Sequence, residues 1–187
     1  LLSVFEIELR YVKDEHFRGY LRGLLNKFES VIKAAPASVH GHHPEDERGP
    51  GGLIKHCKRV AWFCMHMVRE HKLDDVFSDA MIGAAIFHDI GRVIPYKRDG
   101  EDVADYHKKR HGPASMRFIL EQPWPKTASA TTRTREMLEL IKTHMSHWDP
   151  DAPQPSNSIE MLFATADYFA ARSNLNVPFL ELGGLPE

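Results

Sequence analysis

The chain has 187 residues, 42% hydrophobic and 27% charged, which is enough for one domain with a substantial core and ordinary for a globular protein. A formal net charge of −2 removes any general electrostatic reason to expect nucleic-acid binding and leaves only a local basic patch for that purpose. No apolar run reaches the length of a membrane span and no secretory signal pattern is present, so the sequence reads as cytoplasmic.

In chain order, Val4 to Tyr11 alternates Phe5, Ile7, Leu9 and Tyr11 with Glu6, Glu8 and Arg10, the period of a strand. No other segment reads as strand. Residues 1–13 are therefore expected to be the end of a preceding domain or a linker, with a frayed helix start as the alternative. Residues 14–34 read as an amphipathic helix, because Phe17, Tyr20, Leu21, Leu24, Leu25, Phe28, Val31 and Ile32 recur at spacings of three and four. Residues 35–52 are a loop rich in Pro, Gly and His that carries the acidic run Glu45-Asp46-Glu47.

Gly51-Gly52 lead into a helix over 53–71 with Leu53, Val60, Phe63, Cys64, Met67 and Val68 inward. Cys57 and Cys64 lie two turns apart on it, about 10 Å along the axis. That is too far for a disulfide, and both read as small buried apolar residues in a reducing compartment. Asp74 or Asp75 caps the next helix, which runs to His88-Asp89 with Gly91 as its C-terminal stop. Residues 92–103 read as a charged loop, 104–121 as a helix ending before Pro123, and 122–132 as a loop. Helices over 133–146 and 158–173 follow, separated by a loop with Pro150, Pro153 and Pro155. The expected fold is an all-α domain over 14–175, with 176–187 as a C-terminal tail.

Chemistry concentrates in the histidines, of which there are twelve, about twice the ordinary share. An apolar helix that ends in an adjacent imidazole and carboxylate gains nothing from packing, and an unpaired buried charge is costly. A divalent metal is the simplest partner. Adjacent helical residues point about 100° apart, so His88 and Asp89 can bind one ion from two sides or span two. Imidazole nitrogen and carboxylate oxygen suit Mn, Fe, Zn or Co. His56 sits on or beside the buried face of its helix, where a hydrogen-bonded core histidine is the alternative. His144 continues the Met137–Leu140–Ile141 face, and Asp167 continues the Phe163–Ala166–Ala170 face. His107, one turn before His111, and His147, three residues after His144, compete for ligand roles.

The stretches Gly51-Gly52-Leu53-Ile54-Lys55-His56, Phe87-His88-Asp89-Ile90-Gly91-Arg92 and Ala164-Thr165-Ala166-Asp167-Tyr168 resemble the HD-domain metal-dependent phosphohydrolase superfamily. The likeness covers about residues 36–172. It implies an all-α helical bundle with a central metal site holding two divalent ions, from among Mn, Fe, Zn, Co and Ni. His56, His88, Asp89 and Asp167 would hold one, and Asp89, His111 and His144 the other, with Asp89 bridging. His111-Gly112-Pro113 matches the family's motif, and His144 is preferred to His147 as the one deeper in its helix. Two cations ~3.5–4 Å apart lower the pKa of a shared water so that its hydroxide can attack phosphorus. Arg92, where the family often has lysine, and Arg59, one turn after His56, would complete the charge clamp. The expected catalytic residues are thus Asp89, Arg92 and Arg59. The expected substrate contacts are Arg92, Arg59, His42, His43 and Arg172, with Lys55 secondary.

Upstream, Pro36-Ala37-Ser38, His42-His43 and Gly49-Pro50-Gly51-Gly52-Leu53 resemble two subgroups. These are the bacterial 3′→5′ exoribonucleases that pair an OB-fold with an HD domain, and the HD region of TraI-type conjugative relaxases. The acidic run between His43 and Gly49 is not part of that likeness. The expected function is metal-dependent hydrolysis of a phosphoester, in a nucleotide or a nucleic-acid phosphodiester. The alternatives are a nuclease or relaxase module of a larger multidomain protein acting on RNA or DNA, and a non-catalytic nucleotide-binding HD domain. Expected partners are a phosphorylated small molecule or nucleic acid and an additional domain in a longer chain, with no membrane.

Overall fold

The apolar run ahead of His88-Asp89 becomes the central helix of the molecule. The computed structural model describes residues 4–38, 43–93 and 111–175. Among these residues there are seven α-helices and no strand: α1 (Glu6–Arg10), α2 (Glu15–Ala34), α3 (Gly52–His71), α4 (Asp75–Phe87), α5 (His111–Leu120), α6 (Ala128–Thr143) and α7 (Ser158–Ala170). Short 3₁₀ turns form at Glu45–Glu47, Ile90–Arg92 and His144–His147.

Every residue of α4 from Asp79 to Phe87 is buried. A helix apolar on all sides must be enclosed, and α3 and α6 flank it. Helix α2 packs on α6 and α3 through Phe17, Leu21, Leu24, Leu25, Phe28 and Ile32. Helix α7 covers α3, and α5 lies on α6 and on the Ile90–Arg92 turn. Side-chain caps begin four of the helices. Asp14 accepts from Phe17 N at 2.7 Å, Asp74 from Val76 N and Phe77 N at 2.9 and 3.0 Å, Thr127 from Ala130 N at 3.3 Å, and Asn157 from Ile159 N and Glu160 N at 3.0 Å each. A buried polar knot fixes the start of α2. Asp79 accepts from Lys13 N at 2.7 Å, Asp14 N at 3.0 Å and Arg133 Nε at 2.8 Å.

Four sequence expectations are corrected. The alternating segment at 4–11 is helical, not a strand. A lone strand leaves its backbone unpaired, whereas a helix stacks Phe5 on Leu9, both fully buried with Val12 in the common core. Glu8, also buried, is held there by Lys58 Nζ at 2.9 and 3.1 Å. Helix α6 starts at Ala128 instead of within 133–146, because Thr127 caps a run of small and β-branched residues that read as loop. It also ends at Thr143, and His144 lies in the following 3₁₀ turn. Gly91 is not a left-handed helix stop: among the described glycines only Gly51 has a positive φ, at 77°. What Gly91 provides is close approach, since a Cβ there would stand 2.6 Å from both His111 O and Ser115 N. The helix start expected at 104–110 lies outside the described residues. Cys57 and Cys64 are free and buried, as expected. No described helix is long and apolar enough to cross a membrane.

Candidate metal centre

Each residue of the His/Asp series sits at or near the end of a helix, and the helix ends converge. His56 lies near the start of α3, His88 caps the C-terminus of α4, and Asp89 opens the Ile90–Arg92 turn. His111 is the first described residue of α5, His144 caps α6, and Asp167 is in the last turn of α7. All six are buried, none more than 4% exposed. That is far below the norm for charged side chains.

The side chains form two groups that share one carboxylate. In the first, His56 Nε2 lies 3.2 Å from His88 Nε2 and 3.0 Å from Asp167 Oδ1, with His88 Nε2 3.4 Å from the same oxygen. Asp89 Oδ2 stands 3.9 Å from His56 Nε2 and 3.8 Å from His88 Nε2. In the second, Asp89 Oδ1 lies 2.9 Å from His111 Nε2 and 3.6 Å from His144 Nε2, and those two nitrogens are 3.2 Å apart.

The outer face of the cluster orients these rings. His88 Nδ1–H donates to Ala85 O at 3.1 Å and His144 Nδ1–H to Ile141 O at 2.6 Å. With Nδ1 protonated, each Nε2 keeps its lone pair for the centre. Asp167 Oδ2 accepts from Trp148 Nε1 at 3.3 Å, which leaves Oδ1 turned inward. Ser115 ties the α5 start to the α4 end, accepting from Gly91 N at 2.8 Å and donating to His88 O.

Electrostatics favour a cation here. Burial opposes ionisation of Asp89, but Arg92, His88 and His111 outweigh it and hold the carboxyl well below the usual range. Asp167 is likewise held low against burial by His56 and His88. Burial disfavours charge on His56, yet Asp167 and Glu47 push its pKa up to about 10. His111 is pushed down to about 4 by burial, so its imidazole is neutral at pH 7. Two anionic carboxylates facing four inward imidazole nitrogens are a donor set that fits first-row divalent ions. Three buried groups bring ligand atoms within 4.8 Å of one another: His56–His88–Asp167, His88–Asp89–His144 and His43–Glu47–His56.

The remaining candidates fall around this centre. Arg92 Nη1 reaches Asp89 Oδ2 at 3.1 Å. Arg59 is directed at the acidic turn instead, pairing with Glu47 and, through Nη2, with both Asp46 oxygens at 3.0 Å. Lys55 lies 3.5 Å from Asp46 Oδ2 and is half-buried. His43 Nδ1 meets Glu47 Oε2 at 2.8 Å. Arg172 stacks 3.9 Å over Tyr168 and 5.1 Å from Trp148. His147 turns away to Thr165 Oγ1 at 3.2 Å. His42 and His107 lie outside the described residues.

Sequence reasoning missed Trp148, Ser115 and Glu47. The first two are ordinary residues whose roles arise only from tertiary contact. Glu47 was visible within a charged run, but its neighbours Glu45 and Asp46 are exposed while it is fully buried. Nothing in the spacing marks which of the three turns inward.

A buried, helix-end array of histidines and aspartates built around an adjacent His-Asp pair defines a class of metal-binding helical domains. The chain belongs to the HD domain family, whose profile matches residues 53–172, more than half of its length. That places it in a superfamily of metal-dependent phosphohydrolases whose domains bind divalent metals. No curated protein and no solved structure matches the chain significantly.

Proposed function

We propose that the chain is a metal-dependent phosphohydrolase that cleaves a phosphodiester in a nucleotide or nucleic acid. The observation that carries this reading is the division of Asp89. Its Oδ2 faces His56 and His88, and its Oδ1 faces His111 and His144. His56, His88 and Asp167 would hold one ion with Oδ2, and His111 and His144 a second with Oδ1. A pair of divalent cations, when bound, supplies Lewis acidity and a water that ionises near neutral pH.

The protein's part is orientation and charge. Carbonyls at Ala85 and Ile141 set the tautomers of His88 and His144, and Trp148 holds the outer oxygen of Asp167. Arg92 stands beside Asp89 with its side chain 29% exposed, so it can meet an incoming phosphate and offset charge on its non-bridging oxygens. Arg59, expected from sequence to touch substrate, is better assigned to holding Glu47. Arg172 stacks on Tyr168 and lies against Trp148, whose Nε1 donates to Asp167.

The test is metal content followed by hydrolysis of bis(4-nitrophenyl) phosphate. The protein loaded with Mn, Fe, Zn, Co or Ni should turn the substrate over. Asp89→Asn should bind less metal and lose about 100-fold or more of the rate. A metal-loaded protein that hydrolyses no phosphoester overturns the proposal and leaves a nucleotide-binding role.

A further inference from the structure

We infer that Glu47 is a positioning residue for His56, held in place by Arg59 and His43, and that it sets the metal affinity of the His56 site. The inference rests on the proposal that His56 holds a metal ion. Glu47 lies nine residues before His56 on a separate 3₁₀ turn, yet it is fully buried. Its Oε2 lies 3.5 Å from His56 Nδ1 and 2.8 Å from His43 Nδ1, and its Oε1 is taken by Arg59. His56 Nδ1 is a buried nitrogen with no hydrogen-bond partner. A closure of a few tenths of an ångström would make it a donor to Glu47. The rings of His88 and His144 meet backbone carbonyls at the equivalent nitrogen, whereas His56 faces a carboxylate. A carboxylate behind a metal-binding imidazole fixes its tautomer and raises its basicity.

The surrounding structure is arranged to keep this carboxylate ionised and in place. Burial would raise its pKa, but the neighbouring His43, His56 and Arg59 bring it down to about 2. Glu47 O accepts from Ala37 N at 2.9 Å, and Leu53 N donates to Ala35 O at 3.1 Å, so the turn is strapped to the start of α3. Gly52 is what lets the strap close. A Cβ at that position would stand 1.9 Å from Glu47 O. His43, Glu47 and His56 also satisfy the spacing of a metal group. The Arg59 guanidinium already neutralises Glu47, however, and a cation at the same point would sit beside that fixed positive charge.

The test uses the full chain with Glu47→Gln, Glu47→Ala and His43→Gln. Folding is checked by circular dichroism, metal affinity by competition with a chromophoric chelator, and the His56 Nδ1 proton by NMR in zinc-loaded and metal-free protein. Glu47→Gln should stay folded, bind metal about 10- to 100-fold more weakly and shift the Nδ1 proton, with a larger effect in Glu47→Ala. Folded variants with unchanged affinity and an unchanged proton signal overturn the inference. Loss of one bound ion per chain in both His43→Gln and Glu47→Gln, with the remaining ions bound as before, also overturns it in favour of a cation at Glu47. A wild-type chain that takes up no metal defeats the proposed function, while the Nδ1 proton still tests the contact by itself.

Discussion

At the scale of single residues, the centre depends as much on what is missing as on what is present. Gly52 and Gly91 are each pressed against backbone, at 1.9 Å from Glu47 O and at 2.6 Å from His111 O and Ser115 N for an added Cβ. Neither obstacle is the yielding end of a side chain. Gly52→Ala should therefore lower stability by about 1–3 kcal/mol, read as a lower midpoint in urea, and should weaken metal binding because the Glu47 turn moves with it. A melt and an affinity that both match wild type would show that the turn relocates without cost. The buried cluster was largely legible in the sequence, because charge on an apolar helical face requires a partner, and His88, Asp89, His144 and Asp167, which all violate the pattern around them, are buried together. The orienting groups were not legible. Trp148 and Ser115 act across elements, and no local pattern distinguishes them from neighbours of the same type. The Ala85 and Ile141 carbonyls act three residues along their own helices, but a backbone carbonyl carries no mark in the sequence.

At the scale of elements, helix ends do the positioning. A ligand on a helix terminus can be aimed by one cap or one 3₁₀ turn without disturbing the packed middle. Asp89 and His144 are both presented by such turns, Ile90–Arg92 and His144–His147. This also explains where sequence periodicity failed. The repeat that marks α6 is clear through Leu140 and Ile141, but its start at Ala128 follows a cap and a run of Ala, Ser and Thr with no apolar period. The short α1 stayed ambiguous between strand and helix start because five or six residues can satisfy a period of two and a period near four together. Thr127→Ala removes the α6 cap and should cost about 1 kcal/mol, measured by thermal or urea unfolding. Because His144 sits at the far end of the same helix, metal affinity should change little. A large loss of affinity would mean that α6 moves as a rigid rod.

At the scale of the whole molecule, the centre joins parts of the chain that are remote in sequence. His56 and Asp167 are 111 positions apart and their side chains lie 3.0 Å from each other, with α4, α5 and α6 contributing between them. An unfolded chain cannot reproduce that arrangement, so any ion the centre binds is bound by the folded state alone. Binding and folding are then coupled by mass action. At a free metal concentration 100 times Kd, one ion adds about 2.7 kcal/mol to the unfolding free energy. For a chain of this size that corresponds to roughly 5–10 °C in Tm. Adding chelator should lower the transition by a comparable amount, and a Tm indifferent to metal and chelator would contradict the coupling. The convergence of helix ends thus makes the unfolding temperature a running report of how much free metal surrounds the protein.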